Sequence, residues 1–504
     1  MKRKDLLIEA LLLAVIVATG FAFRWRGIGH LLFWDEAMDI AGVRALVTQS
    51  HDWYSNVLWV HPPGFLLLMS LLNPLSEGFA ERSQLAAVLV QSLNLLILYA
   101  LNRAVFGRRV ALFAGLCLAL LPGAVFFDVW IKRDHLVTTF GLLALYAGAR
   151  NRILLCGFCL GLSLLSKETG VFFVPPAMLI LLARSNASIT WKAPLAALAV
   201  AAATCGWWYA LFSTTVQSIL GFAAGSELTL TEWSYPWYYY GQRLVSELGF
   251  TGCTLAGVGG LSAIGRCWHK RPSMEDLWNR ASDPRLWPWM TLFIGYAVLS
   301  LSRGKTPWMT VSFYPAWATV AGLGLVALID LCRRARPSGI QGNILGSVAG
   351  AGCCAMLLVT ALGQHHEDEQ KRLGFGWWWG SDASRQAAEA INRVTTDKDR
   401  LLLTSFYYWG DDPVPTPCPI FAYYFRKDVP TLVRSFRLKP EEAANLVREH
   451  QLTWALFSPV PGKDGNEFLG SFIKTNGLKA TLLPGAVLVD TRPMLDNGRA
   501  QPPP

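Results

Sequence analysis

Asp35 and Glu36, in the stretch WDEAMDIA, are the first residues of this 504-residue chain whose types could do chemistry. A carboxylate boxed in by Trp34 and apolar neighbours suits a general base that deprotonates a hydroxyl or an amine. AMDIAGVRALV reads as a helix, so the same pair also suits a helix N-terminus, where the dipole favours negative charge. His61 follows in HPPG, where two prolines lock φ and make a rigid entry to a helix. That motif reads either as a plain membrane re-entry turn or as an imidazole held rigidly to face a phosphate. Three more charged groups stand between apolar runs: Asp128 with Lys132-Arg133-Asp134, Lys167-Glu168 in LSKETG, and Arg303 with Lys305 in SRGKTPW. A carboxylate base, several cations and aromatics such as Trp25, Trp34, Trp53, Tyr54 and Trp59 suit transfer from a lipid-linked phosphate. The cations would stabilise the leaving phosphate, the aromatics would line a sugar or prenyl groove, and the carboxylate would activate the acceptor.

The elements that must position these residues are set by composition. The chain is 53% hydrophobic and 16% charged, with 21 Trp and 26 Phe. A soluble domain carries about a quarter charged residues, so a soluble multidomain enzyme is excluded, as is a disordered or fibrous chain. Eleven apolar runs predict a polytopic helical membrane protein: 6–23, 85–101, 110–127, 135–149, 153–166, 171–183, 194–215, 244–264, 286–301, 308–329 and 344–362. Several fall short of the roughly 20 residues of a straight span. The two flanking 166–170 are the shortest, which predicts helices ending at a wet cavity within the membrane.

Lys and Arg set the orientation. With the N-terminus cytoplasmic, every inside segment is basic, from Lys2-Arg3-Lys4 through Arg103, Arg108 and Arg109 to Arg333, Arg334 and Arg336. The first run lacks a small-residue cleavage site and reads as a retained anchor. The expected location is therefore the cytoplasmic (inner) membrane, as a multi-pass protein with its C-terminal region outside. Most of the net charge of +10 is then a topology signal, and nucleic acid is not expected as a partner. The cations of three outer loops oppose that rule, and charges so near hydrocarbon point to function. Nine of ten cysteines lie in or beside apolar runs, and Cys156 and Cys159, spaced CxxC inside one of them, read as packing residues.

Two domains are expected: a transmembrane domain over 1–362, with a long outer loop at 24–82, and an extracytoplasmic domain over 363–504. In the latter, SDASRQAAEAINRV and KPEEAANLVREH read as helices, and LLLTSFYYW, LTWALFSPV and AVLVDTRP as strands. Their alternation predicts a small α/β domain. No Gly-rich phosphate loop appears in it, so it is read as covering the cavity or binding the acceptor.

WDEAMDIA, HPPG, KRDHLVTTFGLLALY, LSKETGVFFVPP and KTPWMTVSFYPAW, in that order, resemble the membrane glycosyltransferases of the GT-C class over roughly residues 1–330. The resemblance is to the dolichyl-phosphate-mannose–protein mannosyltransferase-like and lipid A aminoarabinose transferase-like group. It implies that Asp35 acts as base or orients the acceptor, and that His61 stands at a position that contacts a phosphate or a metal. It implies that Asp134 is a second carboxylate, acceptor-orienting or metal-binding, and that Lys167 and Lys305 line the cavity. Glu36, Lys132, Arg133, Glu168 and Arg303 are the further candidate substrate or phosphate contacts. The chain departs from the aminoarabinose transferases at Val60, where they carry an acidic residue, and at Met38, where they carry Arg. The oligosaccharyltransferase signature WWDYG is absent.

The expected function is transfer of a sugar, with inversion, from a polyprenyl-phosphate-linked donor to a protein, lipid or glycan acceptor on the outer face. Membrane lipid is an expected partner, and a divalent metal ion stays open as a cofactor with no ligand set assigned. The alternative is a transporter or lipid-linked sugar flippase, which would need charges deep in the spans and two related halves; no internal repeat is visible.

Overall fold

The computed structural model describes residues 3–30, 32, 34–48, 61–76, 78–184, 191–211, 216–217, 220–221, 235–268, 283–303, 305–335, 339–363, 381–405, 425, 431–435, 440–457, 463–483 and 486–499. The chain divides into two compact units, Met1–His30 with Gly42–Glu369, and Leu31–Ala41 with Gln370–Pro504.

The first unit is helical. Six helices among the described residues are long and apolar enough to cross a membrane: Arg3–Trp25, Phe79–Val105, Lys192–Leu211, Tyr239–Ala263, Trp308–Arg334 and Gln341–Leu362. The other apolar runs form shorter helices, including Arg108–Leu120, Asp134–Ala149, Ile153–Ser166, Val174–Arg184 and Trp287–Leu301. Hydropathy does not see the breaks in these runs, and two of them depart from the expected continuous helix. The run 110–127 is interrupted at Leu121 (φ −61°, ψ 127°) before a second short helix, Pro122–Phe127, because the proline ring disfavours helical geometry in the residue before it. The helix Tyr239–Trp268 is interrupted at Gly249 (φ 71°, ψ 162°), a conformation that glycine adopts without a Cβ penalty. The runs at 171 and 308 are each entered through a 3-10 turn, Glu168–Phe173 and Pro307–Phe313.

Ion pairs fix both ends of the first helix. Near its C-terminal end, fully buried Arg24 donates from Nε and Nη2 to Asp128 Oδ2 at 2.9 and 2.6 Å. It also donates to the carbonyls of Gly20, Ala119 and Leu118 at 3.0–3.2 Å. The Asp128 carboxylate is therefore engaged in holding three chain segments together. Near the N-terminal end, Glu9 pairs with Arg103 Nε at 2.6 Å and Arg108 Nε at 3.6 Å, and accepts from the Tyr99 hydroxyl. Cys156 and Cys159 are buried free thiols.

The second unit contains a five-stranded sheet in the order β2-β1-β3-β5-β4, with β1 Leu401–Ser405, β2 Thr431–Ser435, β3 Trp454–Phe457, β4 Lys479–Leu483 and β5 Ala486–Asp490. β1 is parallel to β2 and β3, β5 is antiparallel to β3, and β4 pairs with β5 as an antiparallel edge. Alternate residues serve two faces, as the period of a strand requires. Leu402, Ala455, Phe457, Val487 and Val489 pack with Val447 and Phe472 of the helices Pro440–His450 and Lys463–Thr475. Leu401, Leu403, Leu456 and Leu488 pack with Ala387, Ala388 and Ile391 of the helix Ser381–Val394. The sequence reading found β1, β3, β5 and two of these helices; it did not assign β2, β4 or Lys463–Thr475.

Candidate functional site

Four segments that are distant in sequence meet around the N-terminus of the helix Asp134–Ala149. The first contact is between Asp134 and Lys167. Ser166 ends the helix Ile153–Ser166, and Lys167 follows in an extended conformation (φ −166°, ψ 152°). That turn brings Lys167 Nζ to both carboxylate oxygens of Asp134, at 3.1 and 2.9 Å. Only 9% of the lysine side chain and 1% of the aspartate side chain are exposed. The two helices are tied further along by Ser163 Oγ, which donates to the Val137 carbonyl at 3.0 Å.

The second contact joins the HPPG and LSKETG segments. His61 Nδ1 lies 3.0 Å from Glu168 Oε2, with the two side chains 29% and 22% exposed. Burial alone would raise the Glu168 carboxyl, but the charge and hydrogen bond of His61, with the charge of Lys167, hold it down to about 2. The backbones also touch: a Cβ on Gly64 would sit 2.8 Å from the Leu165 carbonyl oxygen. Glycine at the end of HPPG is thus what lets the two loops approach.

The third contact involves Lys132, whose buried ammonium sits 4.1 Å from the Trp308 ring centroid and 5.4 Å from that of Trp130. Cation–π attraction here holds a lysine where water would otherwise solvate it. Trp308 belongs to the 3-10 turn Pro307–Phe313, and Phe313 in turn packs edge-on against Phe172 of the other 3-10 turn, with centroids 5.3 Å apart. Lys305, just ahead of that turn, is buried, which lowers its proton affinity, and its Nζ donates to the Ser302 carbonyl. Arg303 is exposed and Arg133 is buried.

The 132–134 turn is itself braced by His135. Its Nε2–H donates to the Trp130 carbonyl at 2.7 Å, and its Nδ1 accepts from Gln91 Nε2. Asn94 donates to Gln91 Oε1 at 2.8 Å, which orients that amide.

Asp35 and Glu36 occupy the first turn of the helix Trp34–Thr48, with Asp35 half-buried and Glu36 fully buried. Both belong to the stretch Leu31–Ala41, which groups with the second unit. Trp53, Tyr54, Trp59 and Cys418 lie outside the described residues.

Sequence reasoning missed Glu247. Buried near the start of Tyr239–Trp268, it pairs with Arg243 Nε at 3.0 Å and accepts from Thr310 Oγ1 at 3.0 Å. Tyr240 Oη donates to the Thr306 carbonyl at 3.2 Å. Together these contacts clamp the turn that carries Trp308. The available signal was an acidic residue four places after a basic one at the mouth of an apolar run.

Among the described residues no group of three or more His, Cys, Asp or Glu is placed to hold a metal ion. Both oxygens of Asp134, the carboxylate read as metal-binding or acceptor-orienting, are engaged by Lys167.

Residues 60–209 match the family of dolichyl-phosphate-mannose-protein mannosyltransferases. No curated protein matches the chain in sequence. Among solved structures, the chain is similar to ArnT from Cupriavidus metallidurans bound to undecaprenyl phosphate (15% identity, 97% of this chain and 98% of that one, TM-score 0.62). It is similar to the same protein in the apo state at 18% identity, 98% and 99% coverage and TM-score 0.63. It is also similar to the archaeal oligosaccharyltransferase AglB from Archaeoglobus fulgidus, captured with an inhibitory peptide and a dolichol-phosphate, at 12% identity, 91% and 70% coverage and TM-score 0.56. The chain therefore has the fold of ArnT along nearly its whole length, and residues 60–209 match the mannosyltransferase family model.

Proposed function

We propose that this protein is an integral-membrane glycosyltransferase that moves a sugar from a polyprenyl-phosphate-linked donor to an acceptor on the extracytoplasmic face. The observation that carries the reading is the convergence of HPPG, KRD, SKETG and KTPW at the start of one helix, with His61, Lys132 and Lys167 each held by a named partner. Cations so close to apolar helices are costly unless something anionic uses them. The ArnT fold, known with undecaprenyl phosphate bound, supports a polyprenyl phosphate as that anion.

In the proposed step, the acceptor oxygen or nitrogen attacks the anomeric carbon as the bond from that carbon to the phosphate oxygen breaks. The acceptor proton passes to the Asp35 carboxylate, and the sugar is delivered with inversion. The charge left on the polyprenyl phosphate is met by His61, Lys132, Lys167 and Lys305, groups positioned before the reaction begins. Asp134 holds Lys167 in place through both carboxylate oxygens. Eleven helical runs cross the inner membrane, the N-terminus is cytoplasmic, and residues 363–504 form an extracytoplasmic domain. The basic inside segments support that orientation.

The test incubates the purified protein in detergent with a panel of polyprenyl-phosphate sugars and measures released polyprenyl phosphate. Sugar-dependent release with inverted product supports the reading. Movement of intact donor across a vesicle without release would replace it with a flippase.

A further inference from the structure

The helix Phe79–Val105, long and apolar enough to cross a membrane, carries two side-chain amides in its apolar stretch 85–101, Gln91 and Asn94. Three residues apart, they lie on one face of the helix, and both are buried. Amides at such depth are costly unless their groups find partners. Their partners belong to the turn that carries Lys132.

The hydrogen bonds along this contact run in one direction. The His135 carbonyl can only accept, so the Asn94 group 3.4 Å from it is the NH2. Asn94 Nδ2 also donates to Gln91 Oε1 at 2.8 Å, which leaves the Gln91 NH2 facing His135 Nδ1. Nδ1 is therefore an acceptor, and the ring proton stands on Nε2, which donates to the Trp130 carbonyl at 2.7 Å. The relay starts and ends on backbone carbonyls, so neither amide can flip without losing a bond. His135 grips the turn a second time, its own N–H donating to the Lys132 carbonyl at 3.3 Å. One residue thus holds the carbonyls of both Trp130 and Lys132. Cation–π contacts set the distance of the Lys132 ammonium from the rings of Trp130 and Trp308, while the relay sets the backbone from which the side chain springs.

We propose that Gln91 and Asn94 are positioning residues of the transfer reaction, fixing the tautomer and orientation of His135 and thereby the place from which Lys132 meets the donor phosphate. The inference rests on the proposed transferase reading for the identity of that phosphate. Both amides act through His135, and the helix that carries them holds the cation in register before charge develops.

The experiment compares kcat and donor KM in wild type, Gln91→Met, Asn94→Leu and Asn102→Leu, each as the full chain in detergent. The substitutions keep side-chain size and place apolar groups in an apolar helix, so all three variants should fold. Asn102 is the control: it is buried on the same helix and donates to Thr319 Oγ1 at 2.9 Å, outside the relay. Gln91→Met and Asn94→Leu should each lower kcat about tenfold or more and change donor KM less than about threefold, because alignment of the cation matters most as charge builds on the leaving phosphate. Asn102→Leu should keep kcat within about twofold of wild type. Wild-type kcat in Gln91→Met, or an equal loss in Asn102→Leu, overturns the proposal while leaving the transferase reading standing. A second readout needs no turnover: spectra of ring-15N-labelled histidine, with the His135 signals assigned from His135→Gln. The wild-type ring should carry a single proton, on Nε2, and the Nδ1 signal should move in Gln91→Met as that nitrogen loses its donor. A proton on Nδ1, or an Nδ1 signal unchanged by Gln91→Met, overturns the relay even if no donor is ever found.

Discussion

Asp134 and Lys167 make the sharpest test of how the site is built. The pair is bidentate at 2.9 and 3.1 Å, with 1% and 9% of the two side chains exposed. Breaking a buried pair by removing one partner leaves an uncompensated charge and costs about 3–5 kcal/mol, whereas replacing both partners by apolar groups of similar size is often neutral. Asp134→Asn and Lys167→Met should therefore each lower the unfolding free energy by about 3 kcal/mol or more, on the order of a hundredfold in the folding equilibrium. Asp134→Leu combined with Lys167→Met should recover most of that loss, with a coupling of about 2 kcal/mol or more in the double-mutant cycle. Stability would be read by denaturant unfolding in mixed micelles and transfer by release of polyprenyl phosphate. The double variant should fold like wild type yet turn over at least about tenfold more slowly, because one placed cation is lost from the phosphate site. Additive single-variant losses would show that the two charges do not support each other. Full turnover by the stable double variant would remove the pair from the functional site.

Four further outcomes follow from the same geometry. Asp35→Asn should abolish transfer while leaving the detergent-solubilised protein folded; retained turnover would remove Asp35 as the base. Arg24→Met should lower stability by about 3 kcal/mol or more, since it strands Asp128 and frees three carbonyls, and Arg24→Lys should not restore it because an ammonium lacks the planar fork; thermal unfolding in detergent checks both. Glu247→Ala should raise the donor KM more than Glu247→Gln, which keeps the acceptor for Thr310, and equal effects would argue against the clamp. In the second unit, burial would raise Asp399, but hydrogen bonds from Thr396 and Thr453 lower it, while Arg492 lowers Asp490. Both carboxyls lie below their unfolded values, so their stabilisation is present above about pH 4 and fades as pH falls through the folded values. Hydrogen exchange around residues 396–400 and 490–492, corrected for intrinsic rate, should rise on acidification in wild type and less in Asp399→Asn with Asp490→Asn.

The helices of the first unit were legible because hydrophobic periodicity survives in any stretch that must bury its backbone hydrogen bonds. The interruptions were legible only in part. Pro122 announces the break at Leu121, but Gly249 is one glycine among 44, and nothing local separates it from the others. In the second unit, β3 and β5 read as buried apolar strands. β4 did not, because it is an exposed edge whose residues follow no buried alternation.

Charged or ionisable residues between apolar runs singled out His61, Lys132, Asp134, Lys167, Glu168 and Lys305 as candidates without any coordinates, since charge near hydrocarbon is costly. What the linear chain could not decide was which charge faces which. Asp134 and Lys167 lie 33 residues apart and His61 and Glu168 lie 107 apart, so each pairing depends on how helices pack and where glycine permits two loops to touch. Tertiary structure set Asp134, read as acceptor-orienting or metal-binding, against Lys167, set Asp128 against Arg24, and joined Glu168 to His61. Sequence determined that this membrane protein keeps charge where charge is expensive; only packing in three dimensions, which sets distance and burial together, determined what each charge is held for.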